Sequence, residues 1–600
     1  MADSDIASTP AAAENEKASR EHVAYPEDTM ADHVTAAAIG GDIGDLPKGY
    51  YWSPKFVGSM IGIILTAQSL YLGYVLPTNA LGIINEDLGP SPNYVLISTI
   101  QTVTSGFLLA LVGRLGDILG RRYFLIGGQA FSLVASIVGV VAKNINTMIG
   151  VGTLMGCAAG VQLTFTFVAA ELVANKHRAY INAVLFCSTI PLAGIGPGLA
   201  RLIVSNTKLG WRWFYYLNII TSGLSLIFLG AFYFPPSFRQ LHSRMTRWEQ
   251  VKRIDWIGSI LFAAGILLFM LGLSWGGSTY PWKDGHVIGF IVVGAALLII
   301  LGLYEAYAPW LVEPLIPGRL VRNRNYIALT CCGCVGTMIY FSLNILWPQQ
   351  IVDLGYGTSQ VQIGWLSCTT GAAVVFGQTL AGVLFKRLGH GRWQLVACTM
   401  GMCVFMGGLA AAKPTNRPLA LAFTTLGGLS VGFLELVHIV MAGLCCEPGD
   451  IGLASGLLAS ARQVAGTLAA TIYVVILSNR VPVEMAADVT PAAVNNGLPE
   501  SSVPLLFGAI SNGTSAAMDA VPGINSKIVE AVTNAIAHAY TSSFKTVYLV
   551  SIAFGGLSVI AALCTQNVEQ FMTGSVARKL QGTAEDVVDE EKIAQSGIHY

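Results

Sequence analysis

Apolar residues in this chain do not alternate at the period of a strand. Nor do they mark a single stripe of a surface helix. They fall in near-continuous runs of about twenty, parted by segments rich in Arg, Lys, Gly and Pro. A helix needs about 20 mostly apolar residues to cross the hydrocarbon core of a bilayer. Fourteen stretches of that kind lie at about 56–80, 93–112, 123–142, 147–170, 180–204, 213–234, 256–275, 287–307, 326–347, 362–385, 393–412, 418–442, 455–477 and 546–565. Tyr50, Tyr51, Trp52, Trp211, Trp213 and Trp256 flank them, as interfacial aromatics do. The pattern predicts an all-α polytopic membrane protein.

Composition agrees. Of 600 residues, 53% are hydrophobic and 11% charged, less than half the roughly 25% charge of soluble domains. Lys+Arg 34 balances Asp+Glu 34, so no basic stripe for nucleic acid is expected. Most cysteines, including Cys157, Cys187, Cys368 and Cys403, sit inside apolar runs, where a free thiol packs as a small hydrophobe. Cys331-Cys332-Gly333-Cys334 lacks His or carboxylate at ligand spacing, so no metal is expected. No Gly-Lys dipeptide and no H-E-x-x-H occur. A P-loop pump and a zinc hydrolase are therefore not expected, nor is any cofactor.

Residues 1–52 read as a polar cytoplasmic tail, not a signal peptide. Basic residues cluster after even-numbered stretches: Arg114, Arg121 and Arg122; Lys176 and Arg178; Arg239 to Arg253; Arg319, Arg322 and Arg324; Lys386, Arg387 and Arg392. The positive-inside rule then places both termini in the cytoplasm. The connection 478–544 falls outside and carries the sequon Asn512-Gly513-Thr514, a glycosylation candidate. Its apolar stretch Ile528–Tyr540 reads as an amphipathic helix rather than a fifteenth crossing.

A segment recurs. Gly113-Arg114-Leu115-Gly116-Asp117-Ile118-Leu119-Gly120-Arg121-Arg122 follows stretch two, and Gly382-Val383-Leu384-Phe385-Lys386-Arg387-Leu388-Gly389 follows stretch ten. The repeat predicts an N-terminal six-helix half (53–234), a loop with two linker helices (235–307), a C-terminal six-helix half (308–565) and a tail (566–600). Duplicated halves around a midplane site mark secondary transporters.

The first copy resembles the cytoplasmic signature G-x-L-x-D-x-x-G-R-R/K of the major facilitator superfamily. The resemblance implies the major facilitator fold and a conformational latch at Gly113, Asp117, Gly120, Arg121 and Arg122; Glu171, at the cytoplasmic end of stretch four beside Lys176 and Arg178, reads as a structural partner in that latch, with a substrate site as the alternative. A plain positive-inside loop is the alternative. Gly194-Ile195-Gly196-Pro197-Gly198 partly resembles the antiporter motif of stretch five, with Gly196 and Pro197 as a kink; a kink without directional meaning is the alternative. The usual arginine of stretch four is replaced by Gly152, and Gly152, Gly156 and Gly160 form a small-residue ridge. Gly210-Trp211-Arg212-Trp213-Phe214-Tyr215-Tyr216-Leu217-Asn218 and Ser460-Ala461-Arg462-Gln463 resemble segments of the fourteen-span drug:proton antiporters. Glu171-Leu172-Val173 and Pro235-Pro236-Ser237-Phe238 are similar to the fungal trichothecene-efflux type.

Ionisable groups inside a membrane are costly, and function is their default reading. Glu435 and His438 share a face of stretch twelve, and Arg462 stands at matching depth in stretch thirteen. A proton-coupling carboxylate and a static ion pair are both open readings. By the resemblance, stretches one, four, nine and twelve line a central cavity. Gln68, Tyr71, Tyr74, Gln162, Phe165, Tyr340, Asn344 and Trp347 are then substrate-contact candidates, with packing as the alternative for each.

The expected function is proton-driven export of hydrophobic or amphiphilic organic compounds by a monomer in the plasma membrane. A vacuolar or vesicle membrane is the alternative location. A siderophore–iron carrier and a non-transporting sensor are the alternative functions. The expected partners are the lipid bilayer, a small organic substrate and protons.

Overall fold

The computed structural model describes residues 49–568 and Met572, leaving out 92–93, 95, 236–251, 253–254, 278–279, 309–313, 447–450 and 513–519. The side chains of residues 113–114, 117–119, 274 and 511–512 also lie outside the description, and with them the latch residues Gly113 and Asp117 and the sequon Asn512.

The described elements are nearly all helical. In chain order they are α1 (Pro54–Thr78), α2 (Leu81–Leu88), α3 (Leu96–Leu119), α4 (Arg121–Val141), α5 (Ile145–Glu171) and the pair α6 (Asn175–Gly194) and α7 (Gly196–Asn206). There follow α8 (Arg212–Phe232), α9 (Trp256–Trp275), α10 (Gly285–Tyr307), α11 (Gly318–Arg322), α12 (Arg324–Asp353) and α13 (Gln360–Leu388). The last are α14 (Gly391–Ala411), α15 (Arg417–Leu444), α16 (Ile451–Asn495), α17 (Val503–Asn512) and α18 (Ser526–Leu563). Polar residues at the heads of the apolar runs start them by accepting a first-turn backbone N–H. Asn144 takes Thr147 N at 2.7 Å, Asp255 takes Gly258 N at 2.7 Å and Asn525 takes Ile528 N at 2.9 Å.

Among the described residues, twelve helices are long and apolar enough to cross a membrane, and thirteen if the pair α6–α7, bent by 40°, is one span. The apolar part of α3, Leu96–Val112, is shorter. Each of the fourteen predicted stretches falls on one of these helices or on the bent pair.

The halves pack by the repeat. In the first, α1 lies on α8, α8 on α4, α4 on α5 and α5 on α3. In the second, α12 lies on α16, α16 on α18, α18 on α14, α14 on α15 and α15 on α13. The halves meet along α3–α16 and along α6/α7–α13. Each seam joins the second span of one half to the fifth of the other. At the repeated turns, Gly120 has φ 94° and Gly389 has φ 60°. Both lie in the left-handed region that glycine enters without steric cost. The α9–α10 hairpin rests on α3 and α16 through α9, and only 17% of the α10 apolar window is buried.

The connection 478–544 is itself largely helical. At 1.5 Å per residue the 45 residues of α16 and 38 of α18 extend about 68 and 57 Å, well beyond a ~30 Å core. Their outer parts and α17 share a core of Val489, Ala493, Leu506, Ile528 and Val532. Apolar residues there recur every four positions instead of forming a solid run, which is the pattern of a one-sided helix. Ile528–Tyr540 is continuous with the last span.

Candidate functional site

Four helices of the C-terminal half converge on one carboxylate. Glu435 on α15 is 8% exposed. Its Oε1 accepts from Arg462 Nη2 of α16 at 2.5 Å, and Thr337 Oγ1 of α12 stands 3.4 Å from the same oxygen. Oε2 accepts from Gln378 Nε2 of α13 at 3.3 Å. Arg462 Nε donates to Thr337 Oγ1 at 2.9 Å. Thr337 and Gln378 carry no sequence signal that separates them from other polar residues in apolar runs. The depth count from helix ends does bring Glu435 and Arg462 together.

His438 is fully buried but makes no hydrogen bond to the Glu435 carboxylate. Its Nδ1 donates to Leu434 O at 2.8 Å, while Nε2 has no hydrogen-bond partner. The ring lies against Gly333, where a Cβ would meet Nε2 at 2.6 Å.

The N-terminal half places an uncharged network in the corresponding interior. Gln162 Nε2 donates to Ser69 Oγ at 3.1 Å and to Gln129 Oε1 at 3.3 Å. Ser69 Oγ donates to Asn218 Oδ1 at 2.8 Å, and Asn218 Nδ2 reaches Ser132 and Ser136 at 3.1 and 2.9 Å. Asn218, the last residue of the W-R-W segment, is thus a hub. Gly152 cannot hold the missing arginine, because a Cβ there would stand 2.5 Å from the Ile97 carbonyl oxygen. Gly156 and Gly160 press on α3 in the same way.

The breaks in the N-terminal helices adjoin cavity candidates in the chain. α1 is interrupted at Gly73–Tyr74 and α5 at Leu163–Thr164. Gln101 Nε2 donates to the freed Gly73 O at 3.1 Å. Tyr340, from the other half, lies near Tyr71 and Tyr74 of this one, and Tyr71 and Tyr340 lie near Glu435; all three are half-buried.

The remaining candidates scatter. Gln68 Nε2 donates to Ser188 O. Phe165 packs edge-on to Phe186 at 5.9 Å. Asn344 is exposed and bonds the Tyr340 carbonyl of its own helix at 2.8 Å. Trp347 is fully buried, its Nε1 donating to Leu366 O and Thr369 Oγ1 at 3.0 Å each, so it is turned into the C-terminal half.

At the start of α4 and the end of α5, Arg121 pairs with Glu171. Arg178 donates to Ala170 O at 3.2 Å and, across the halves, to Gly443 O at 3.4 Å. Arg122 instead reaches Gly230 O at 2.6 Å and covers the Phe234 ring at 3.9 Å, staying within its own half. At the kink, the Ile190–Gly194 turn is of the wide π type and Gly198 N donates to Cys368 Sγ at 3.2 Å.

The family model described as fungal trichothecene efflux pump matches residues 18–598. The chain belongs to the fungal trichothecene efflux pump family. It is 31% identical over 556 residues to a trichothecene efflux pump of Fusarium sporotrichioides, covering 92% of each chain. It is 30% identical over 572 residues to that of Trichoderma arundinaceum, covering 93% of this chain and 94% of that one. A multidrug resistance protein of Bacillus subtilis is 24% identical and is 98% covered. Among solved structures, the proton:xylose symporter XylE aligns with a TM-score of 0.51 at 14% identity, over 91% of this chain and all of that one. That alignment gives the fold: this family member has the major facilitator architecture. Family and fold are those of multi-pass membrane transporters.

Proposed function

We propose that this protein exports trichothecene-like or related amphiphilic secondary metabolites, driven by inward proton flow through Glu435. It works as a monomer with fourteen crossings and both termini in the cytoplasm of a plasma-membrane transporter. The observation that carries the reading is the Glu435–Arg462–Thr337–Gln378 cluster, a buried carboxylate with a built polar shell, near Tyr71 of the opposite half. A proton on Glu435 cancels its attraction for Arg462, so protonation and the packing of α15 on α16 are linked. Rocking of the halves along α3–α16 and α6/α7–α13 would then alternate access to a central site between Tyr71, Tyr74 and Tyr340. Aromatic walls with few polar groups suit an oxygenated terpenoid.

The test uses inside-out vesicles, an imposed proton gradient and a labelled trichothecene sesquiterpenoid. Gradient-driven accumulation is expected with wild type and lost in Glu435→Gln, while substrate exchange at equal pH survives. Full gradient-driven accumulation in Glu435→Gln overturns the coupling role. No accumulation of any trichothecene by folded wild type overturns the substrate class.

A further inference from the structure

Below the Glu435–Arg462 pair, towards the cytoplasm, lies a small space between the halves. Its walls include Glu171 and Asn182 of the first half and Ile439, Gly443 and Ser455 of the second. Glu435, Ile439 and Gly443 follow one another at four-residue steps, so they share one face of α15. Ser455 and Arg462 are two turns apart on α16 and share a face in the same way. The face that carries the charged pair therefore continues down to this space, with Ile439 in between.

Asn182 is 2% exposed, and its Oδ1 finds no hydrogen-bond donor. An unmet buried acceptor costs about 1–3 kcal/mol. Folded proteins satisfy such groups with internal water where there is room, and this space has room for one. Arg178, bonded to Ala170 O and Gly443 O, stands in its wall and ties the two halves together there.

We propose that this space is a hydration site on the inward proton route, holding a water that donates to Asn182 Oδ1 and relays the proton leaving Glu435. This inference rests on the coupling role given to Glu435. The Glu435 carboxyl O–H breaks, the proton crosses through water admitted past Ile439 as the helices move, and the water at Asn182 gains it as hydronium. Hydronium passes a proton to cytoplasmic water when the Arg178 contact opens, and the carboxylate returns to Arg462. Ile439 separates carboxyl and water until the helices move, which prevents uncoupled leak.

Asn182→Leu fills the space and removes the acceptor, whereas Asn182→Ser keeps a small polar group and the room. Gradient-driven uptake and equal-pH exchange of a labelled trichothecene are measured in the same vesicles, with Glu435→Gln alongside. A positioned proton relay is worth 10²-fold or more in favourable cases, so a drop of about tenfold in gradient-driven rate is expected for Asn182→Leu. Exchange should stay within about twofold, which also reports folded protein, and Asn182→Ser should recover most of the driven rate. An undiminished driven rate in Asn182→Leu overturns the relay, as does an equal loss of both rates. If Glu435→Gln itself transports normally, the parent reading fails; if only Asn182→Leu is silent, the relay alone fails.

Discussion

Arg462 Nη2 stands 2.5 Å from Glu435 Oε1, and both residues belong to the C-terminal half. The pair therefore does not itself bridge the halves; it acts on their rocking through the packing of α15 on α16 rather than as a direct latch. Its energetics follow from burial. Arg462→Leu leaves the carboxylate with only Thr337 and Gln378, and removing one member of a buried pair costs about 3–5 kcal/mol. Glu435→Gln/Arg462→Leu removes both charges and should melt higher than Arg462→Leu alone. Thermal unfolding in detergent checks this, and additive losses would show that the pair is not energetically coupled.

Gly152 gives a second prediction. Its position against Ile97 O leaves no space for a side chain, so α5 and α3 must separate to admit one. Overpacking of this kind costs about 1–3 kcal/mol. Gly152→Val should lower the melting temperature and the yield of monodisperse protein. Gly150→Val, where a Cβ meets nothing within 4 Å, should not. An unchanged Gly152→Val would mean that the ridge is not a packing constraint.

How much of this was legible in the sequence depends on contrast. Helix existence was plain, because runs of twenty apolar residues have no other solution in a bilayer. Helix rotation was not, since lipid-facing and protein-facing sides are equally apolar. Trp347 was a cavity candidate only because the resemblance puts stretch nine on the cavity, and its Nε1 donates inward to Leu366 O. Glu435 and Arg462 were legible because charges are rare at that depth. Thr337, Gln378 and Asn182 were not, because neutral polar residues occur throughout these helices. Of the outer helical extension, Ile528–Tyr540 was legible as an amphipathic helix, whereas the outer part of α16 was not, because its apolar residues fall one per turn between polar ones.

Asp87 on α2 supplies a pH prediction outside the membrane. Its Oδ2 accepts from Trp211 Nε1 at 3.0 Å and Arg212 Nη1 at 2.9 Å. The Trp211 hydrogen bond, with the Arg212 contact, holds the carboxyl below its ordinary value. A depressed folded-state value means that the stabilisation is present above the unfolded value of about 3.9 and is lost as pH falls through the folded one. Wild type should therefore melt above Asp87→Asn at pH 7, by a small margin because the pair is exposed. The gap should close between about pH 4 and lower values. A gap that persists unchanged at low pH would show that the carboxylate charge contributes nothing.

Thr337 has one hydroxyl hydrogen and two acceptors for it, Gly333 O at 3.0 Å and Glu435 Oε1 at 3.4 Å. Its oxygen accepts from Arg462 Nε at the same time. With Glu435 ionised, the hydrogen can turn to the carboxylate; with Glu435 protonated, it can return to the helix carbonyl. Thr337 thus couples the charge on Glu435 to the hold on Arg462 without titrating itself. Thr337→Val keeps the shape but leaves Arg462 Nε unpaired, at a cost of about 1–3 kcal/mol. It should lower the melting temperature and reduce gradient-driven transport more than exchange. Thr337→Ser retains the hydroxyl and should restore both. If Thr337→Val and Thr337→Ser behave alike, the hydroxyl is dispensable and the cluster holds Arg462 through Glu435 alone.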